Sequence, residues 1–203
     1  MNMNDPTGAA CDGWNSSECV GTEHCPPRCP RFVDKQGARW TLRPAREGDG
    51  DRLATMYEAF GVRDRAQGVP PAVDHRRRSW IDTLLSDGYN VVAAGHDRIV
   101  GHVVYTAADD PRPELAVFVH PEFQGRGIGT ELCRHAVAAA SESDREALEL
   151  HVETSNRTAL SVYRRIGFSV VDRDGDVRME LPLDEPVTRA VRLPPAERRA
   201  PSS

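Results

Sequence analysis

The sequence predicts an α/β fold of the α+β kind, a mixed and mostly antiparallel central sheet with helices on both faces. Three observations lead there. Strand-like alternation and helical periodicity succeed one another from residue 38 to residue 182. The β-branched segments Asn90–Ala94 and Ile99–Tyr105 are joined by Gly95-His96-Asp97-Arg98, which is hairpin chemistry. Finally, Leu115–Val119 is wholly apolar, the pattern of a strand buried on both faces, and it runs through a glycine-rich turn into an amphipathic helix. Hairpins and crossovers in one chain imply a mixed sheet.

Taken in order, Arg39–Arg43 alternates as a strand, and Asp49–Phe60 places Leu53, Met56, Tyr57 and Phe60 at helical spacing. A second helix over Asp74–Ser86 carries Arg77, Trp80, Ile81, Leu84 and Leu85 on one stripe, and Asp87-Gly88 stops it. The Arg76–Arg78 run near its start reads as a solvated face. After the hairpin and the apolar strand, a helix sets Ile128, Leu132, Cys133, Ala136, Val137 and Ala140 on one face, with Glu131, Arg134 and His135 off it. A strand over Ala147–Val152 follows, then a helix over Thr158–Ile166 stopped by Gly167, then strands over Phe168–Val171 and Val177–Leu181. The expected order is βααβββαβαββ.

Flanking this core, residues 1–37 hold Gly, Pro, Asn, Ser and Cys with almost no periodic apolar side chains, so a flexible Cys-rich tail is expected there. Residues 183–203, with Pro186, Pro194, Pro195 and Pro201 among arginines, read as a disordered tail. Cys11, Cys19, Cys25 and Cys29, with His24 between, are soft ligands enough for one zinc, but their gaps of seven, five and three residues lack a close Cys-x-x-Cys knuckle. Reduced thiols are the favoured reading, and no metal is expected.

Composition narrows the function. A net charge of −5 disfavours a nucleic-acid backbone as partner. Apolar runs such as Leu115–Val119 last five residues, against the roughly 18 of a membrane span, so no membrane association is expected. The first twenty residues carry Asp5, Asp12 and Glu18 and no apolar core of a secretory leader. A cytoplasmic location is the expectation. Of 26 cationic residues 25 are Arg, Lys35 alone being Lys, a usage that reads as a signature of the host, from high-GC coding or adaptation to high salt, and not of a site.

Between the apolar strand and its helix lies Gln124-Gly125-Arg126-Gly127-Ile128-Gly129-Thr130. Three alternating glycines at a helix start let backbone amides turn inward and approach an anion, with the helix dipole behind them. The spacing is neither Gly-x-Gly-x-x-Gly nor a Gly-Lys-Ser/Thr loop. A phosphate cradle is expected; a merely tight strand-to-helix turn is the plainer alternative.

This loop resembles the Gln/Arg-x-x-Gly-x-Gly/Ala motif of the GNAT N-acetyltransferases, and Asn156-Arg157-Thr158-Ala159-Leu160-Ser161-Val162-Tyr163-Arg164-Arg165-Ile166-Gly167-Phe168 resembles that family's Asn-x-x-Ala-x-x-x-Tyr-x-x-x-Gly-Phe segment. The likeness covers residues 38–182. It implies acetyl-CoA wedged between two splayed central strands, with its pyrophosphate on Gln124 to Thr130. The amides of Arg126, Gly127, Gly129 and Thr130 would hold the phosphates, within a cofactor-binding set that includes Gly125 and Ile128, and the Arg126 side chain would add a cation. A main-chain amide among Val117, Phe118 and Val119 would polarise the thioester carbonyl.

The resemblance further implies that Glu114 is the base that deprotonates the amine, its basicity raised by partial desolvation. It makes Tyr163 the acid for the departing thiolate and brings Asn156 to the pantetheine arm or the helix cap. On the plainer reading Glu114 pairs with Arg112 and Tyr163 is a core aromatic. Cys133 reads as a small buried hydrophobe, and His102, His120, His135 and His151 as structural. The segment from Glu114 to Gly129 is also like the catalytic segments of protein lysine acetyltransferases, so a protein lysine is the expected acceptor. A small-molecule amine is the alternative, held by carboxylates among Asp49, Asp51, Glu58, Asp64 and Asp74; a non-catalytic CoA-binding module is the other.

Overall fold

The computed structural model describes Trp14 and residues 16–61, 70–143 and 145–198. Eight strands form one sheet in the order β1-β2-β3-β4-β5-β6-β8-β7. They are β1 (Arg31–Val33), β2 (Arg39–Pro44), β3 (Tyr89–Ala94), β4 (Ile99–Thr106), β5 (Glu114–Val119), β6 (Ala147–Val152), β7 (Ser169–Asp172) and β8 (Val177–Pro182). Every neighbouring pair is antiparallel except β5 and β6.

Alternation along the strands feeds two cores. Val91, Val103, Leu115, Leu148, Leu150 and Met179 pack with α3 (Ile128–Ala140), α4 (Arg157–Ile166) and Val191 of α5 (Glu185–Arg192). Val92, Ala94 and Ile99 pack with α1 (Gly50–Glu58) and α2 (Asp74–Asp87) on the other face. The mixed sheet with helices on both faces is the architecture expected.

Several expectations need correction. Arg31–Val33 is a strand rather than part of a flexible tail, and residues 183–198 form α5 and a 3-10 turn packed over α3 rather than a disordered tail. Charge and main-chain bonds add to the few apolar contacts that Phe32, Leu183, Val187 and Val191 make with the core. Arg28 donates from Nε and Nη2 to the two carboxylate oxygens of Glu131, at 2.7 and 2.9 Å, and from Nη1 to the Val191 carbonyl. Ala196 N donates to Cys19 O at 3.0 Å. Glu131 and His135, expected off the buried face of α3, are therefore covered. β5 is not buried on both faces: Leu115 is, but Ala116 to Val119 are half-buried. Arg77, expected on a solvated face, is buried against Asp74.

Cys11 lies outside the described residues. Cys19, Cys25, Cys29 and Cys133 are free thiols, and among the described residues no three His, Cys, Asp or Glu side chains gather as metal ligands. Among those residues no helix is long and apolar enough to cross a membrane.

Candidate active site

The site exists because β5 and β6 part. Parallel strands with a crossover between them normally pair along their length, but here one register pair, Glu114↔Glu149, joins the two. The pairing is extended backwards, not forwards: Glu149 N donates to Pro113 O at 3.1 Å and Glu146 N to Pro111 O at 2.8 Å. Beyond Glu114 a cleft of about 890 Å³ opens between β5, the start of α3 and α4.

Its first wall is the glycine loop. Gly127 is the N-cap of α3 at φ +93°, a conformation that an L side chain resists. At Gly129 a Cβ would come within 3.3 Å of Val119 Cγ2, so glycine lets the helix start sit close to the end of β5. Gln124 fastens the loop by donating from Nε2 to Val119 O at 3.2 Å. Gln124, Gly125, Gly127, Ile128, Gly129 and Thr130 all line the cleft. Arg126 does not turn its guanidinium into it. Nη2 donates to Glu122 O at 2.7 Å, the group lies 4.6 Å over the Phe123 ring, and Nη1 is 3.9 Å from Asp34.

The opposite wall is α4. Asn156 caps it by accepting from Ala159 N at 3.0 Å and lines the cleft as well. Tyr163 also reaches the cleft, its ring edge-on to Phe168 at 5.7 Å. Burial, with a smaller contribution from Cys133, pushes the Tyr163 hydroxyl well above the usual phenol range, so it keeps its proton. Cys133 is itself pushed up to about 12 by burial, which suits the inert, buried role expected of it.

Val117 and Val119 face the cleft, whereas Phe118 turns to the other side of the sheet and packs edge-on against Tyr57 at 5.3 Å and Trp80 at 5.6 Å. Alternation puts Glu114 on the Phe118 side. Glu114 does not pair with Arg112, which binds Glu146 and Glu180 instead. Its Oε1 lies 3.1 Å from His151 Nδ1, and its side chain is 57% exposed, so the expected partial desolvation is absent. His120 accepts from Glu122 N, and His102 and His135 are buried.

Several contributors were invisible to spacing. Lys35, from the turn between β1 and β2, lines the cleft, as do Glu153, Arg157 and Arg165. Of the carboxylates considered for an acceptor, Asp49 is paired with Arg43, Asp51 with Arg78 and Asp74 with Arg77 and Arg78; Asp64 lies outside the described residues.

The residues fit acetyl-CoA: a glycine-lined cradle that no Cβ fills stands at a helix start, with a deep cleft beside it. Relatives agree. The mycothiol acetyltransferase of Propionibacterium freudenreichii subsp. shermanii is 34% identical over 133 residues, 64% of this chain and 43% of that protein. The chain thus spans less than half the length of this relative. The L-amino acid N-acyltransferase MnaT of Escherichia coli is 25% identical over 64% of this chain and 80% of its own length. Among solved structures, the GNAT domain of S. lividans PAT superposes with a TM-score of 0.64 at 22% identity, covering 75% of this chain and 95% of that one. The model of the Acetyltransferase (GNAT) family matches residues 53–168. That match spans more than half of the chain, and the chain belongs to the GNAT acetyltransferases.

Proposed function

We propose that this chain moves an acetyl group from acetyl-CoA to the primary amine of a small molecule, by direct attack with both substrates bound. The observation that carries the reading is the parting of β5 and β6 beyond Glu114↔Glu149, with the glycine loop on one wall and Tyr163 on the other. The amides of Arg126, Gly127, Gly129 and Thr130 hold the pyrophosphate. The edge of β5 at Val117–Val119 has no ladder partner on its β6 side, and a main-chain N–H there stabilises charge developing on the carbonyl oxygen. Asn156 borders the pantetheine path.

Bound acetyl-CoA supplies the activated acyl group. Glu114, held by His151, takes the proton of the arriving ammonium; the free amine forms the C–N bond as the C–S bond breaks, the surplus proton on nitrogen passes to solvent, and Tyr163 gives its proton to the thiolate and regains one from solvent. Glu114 stands on the sheet face opposite Val117 and Val119, so donor and acceptor enter from opposite sides. The acceptor class follows the relatives' names, mycothiol and L-amino acid acyl transfer, to which the L-methionine sulfoximine/L-methionine sulfone acetyltransferase of Pseudomonas aeruginosa adds a third at 25% identity over 58% of this chain and 73% of that one. The protein lysine expected from the Glu114 segment draws no support from these names.

The test is thiol release from acetyl-CoA with a panel of amino acids, other small primary amines and lysine peptides, products being identified by mass. Acetylation of a small amine is expected. Turnover with lysine peptides alone would overturn the acceptor class, and absence of acetyl-CoA binding would overturn the whole reading.

A further inference from the structure

We propose that Lys35, on the turn between β1 and β2, is a ligand for the phosphates of the cofactor, so that a segment outside the matched 53–168 region completes the cofactor site. The proposal rests on the acetyl-CoA reading above. A phosphate cradle built from neutral amides gains most from one mobile cation at its rim. The loop's own candidate, Arg126, is spent on the Glu122 carbonyl, the Phe123 ring and the Asp34 carboxylate, and its side chain is absent from the cleft lining.

Lys35 takes the vacated place. It lines the cleft with Gln124, Gly125 and Gly127, and its Cε is 3.9 Å from where a Cβ on Gly127 would stand. The side chain is exposed, and among the described residues no ion pair or side-chain hydrogen bond engages its ammonium. The backbone beneath it is fixed. Lys35 N donates to Arg126 O at 3.1 Å, which ties the turn to the glycine loop itself. The buried Asp34 carboxylate accepts from Gln36 N at 2.9 Å, Ala38 N at 3.0 Å and Trp40 Nε1 at 3.0 Å, and Gly37 closes the turn at φ +82°. A rigid turn thus carries a flexible stem with a free charge at its tip.

The residue type fits the task. This chain uses Arg at 25 of its 26 cationic positions and Lys at this one. A compact ammonium on a flexible stem can turn its three donors to whichever phosphate oxygens arrive.

Calorimetry on the full chain tests it with coenzyme A, 3′-dephospho-coenzyme A and pantetheine. Lys35→Met is expected to weaken coenzyme A binding about tenfold or more, as loss of a charged hydrogen bond does, to leave the melting temperature and pantetheine binding unchanged, and to be rescued in large part by Lys35→Arg. If the loss persists with the 3′-dephospho form, the pyrophosphate is the partner; if it vanishes there, the 3′-phosphate is, and either result supports the proposal. Equal coenzyme A affinity of parent and Lys35→Met at low salt would overturn it, as would an equal loss with pantetheine. A parent that binds no coenzyme A would instead overturn the reading on which the proposal rests.

Discussion

Glu114 on β5 and His151 on β6 meet at 3.1 Å just where their two strands stop pairing. The contact crosses 37 positions of sequence and fixes a carboxylate that is otherwise open to solvent at the mouth of the splay. An imidazole N–H directed at one oxygen leaves the other to accept the proton of an incoming ammonium. Glu114→Gln is therefore expected to lower kcat/KM for the amine by ~10²-fold with acetyl-CoA affinity unchanged. His151→Phe, which removes the orienting contact only, is expected to cost about tenfold, and His151→Gln to restore part of that loss. Initial rates of thiol release across pH decide it; a full rate for Glu114→Gln at every pH would assign proton removal to water or to another group.

Tyr163 makes a different demand. Its hydroxyl, kept protonated by burial, borders the cleft, and a donor in that state is suited to a thiolate leaving group. Tyr163→Phe preserves the ring contact with Phe168 and is expected to retain the fold and acetyl-CoA binding while kcat falls by ~10²-fold. A fall in binding with kcat intact would make Tyr163 a packing residue.

The parts of this site that were legible in the sequence are those written locally. Three glycines within five positions announce a cradle, and the Asn156 to Phe168 segment announces its opposite wall, because each is a single turn-and-helix unit. What escaped was long-range. Lys35 reaches the cradle through a hairpin turn, and Arg28 finds Glu131 across 103 positions. Ion pairs and main-chain bonds leave no periodic trace, and residues 183–198 offer only Leu183, Val187 and Val191 to the core, so residues 16–37 and 183–198 looked unable to order themselves. The half-open state of Ala116 to Val119 was hidden for the opposite reason: an apolar strand beside a cleft and one beneath a helix have the same composition.

The glycines of the cradle differ in what they tolerate. At Gly129 a side chain meets Val119, and Gly129→Val is expected to weaken coenzyme A binding by about tenfold or more through the displaced amides. At Gly127 nothing blocks a Cβ closer than 3.5 Å, and the obstacle is φ +93°; Gly127→Ala is expected to destabilise the start of α3 by about 1–2 kcal/mol. Calorimetry and thermal melts separate the two. Equal effects of both on binding and none on stability would show the left-handed turn to be dispensable.

Arg28 and Glu131 hold both flanking segments to α3, since Arg28 also donates to Val191 O and Arg198 lies 3.7 Å from the same carboxylate. Glu131→Gln leaves a buried guanidinium without its counter-charge and is expected to cost about 3–5 kcal/mol. The Arg28→Met, Glu131→Met pair should cost clearly less than the single change, because the buried guanidinium leaves together with its counter-charge. Urea unfolding of the parent, Arg28→Met, Glu131→Met and the double variant gives the cycle; additive losses would show that the pair does not act as a unit.

Acid sensitivity follows from two buried histidines. The Asn90 amide nitrogen donates to the carbonyls of Leu84 and Gly88, so Asn90 Oδ1 is left to accept from His102 Nε2 at 2.9 Å, and His102 Nδ1 accepts from the Tyr57 hydroxyl at 2.6 Å. That network requires a neutral ring, and burial pushes His102 down to about 3. His135, which donates from Nε2 to Cys29 O at 3.2 Å, is pushed down to about 4 by burial. Both folded values lie below the ordinary 6.5, so between those values the unfolded chain binds more protons and stability rises with pH. The full contribution is present above about pH 6.5 and is lost on acidification at up to about 1.4 kcal/mol per pH unit for each ring. The loss continues to about pH 4 for His135 and about pH 3 for His102. Glu131, buried but held low by Arg28, acts in a separate window below its ordinary 4.5. Urea midpoints from pH 8 to pH 5 are expected to be level down to about 6.5 and to fall below it, and His135→Gln should flatten the fall by about half. A midpoint constant to pH 5 in the parent would mean that one or both rings accept a proton without leaving the fold.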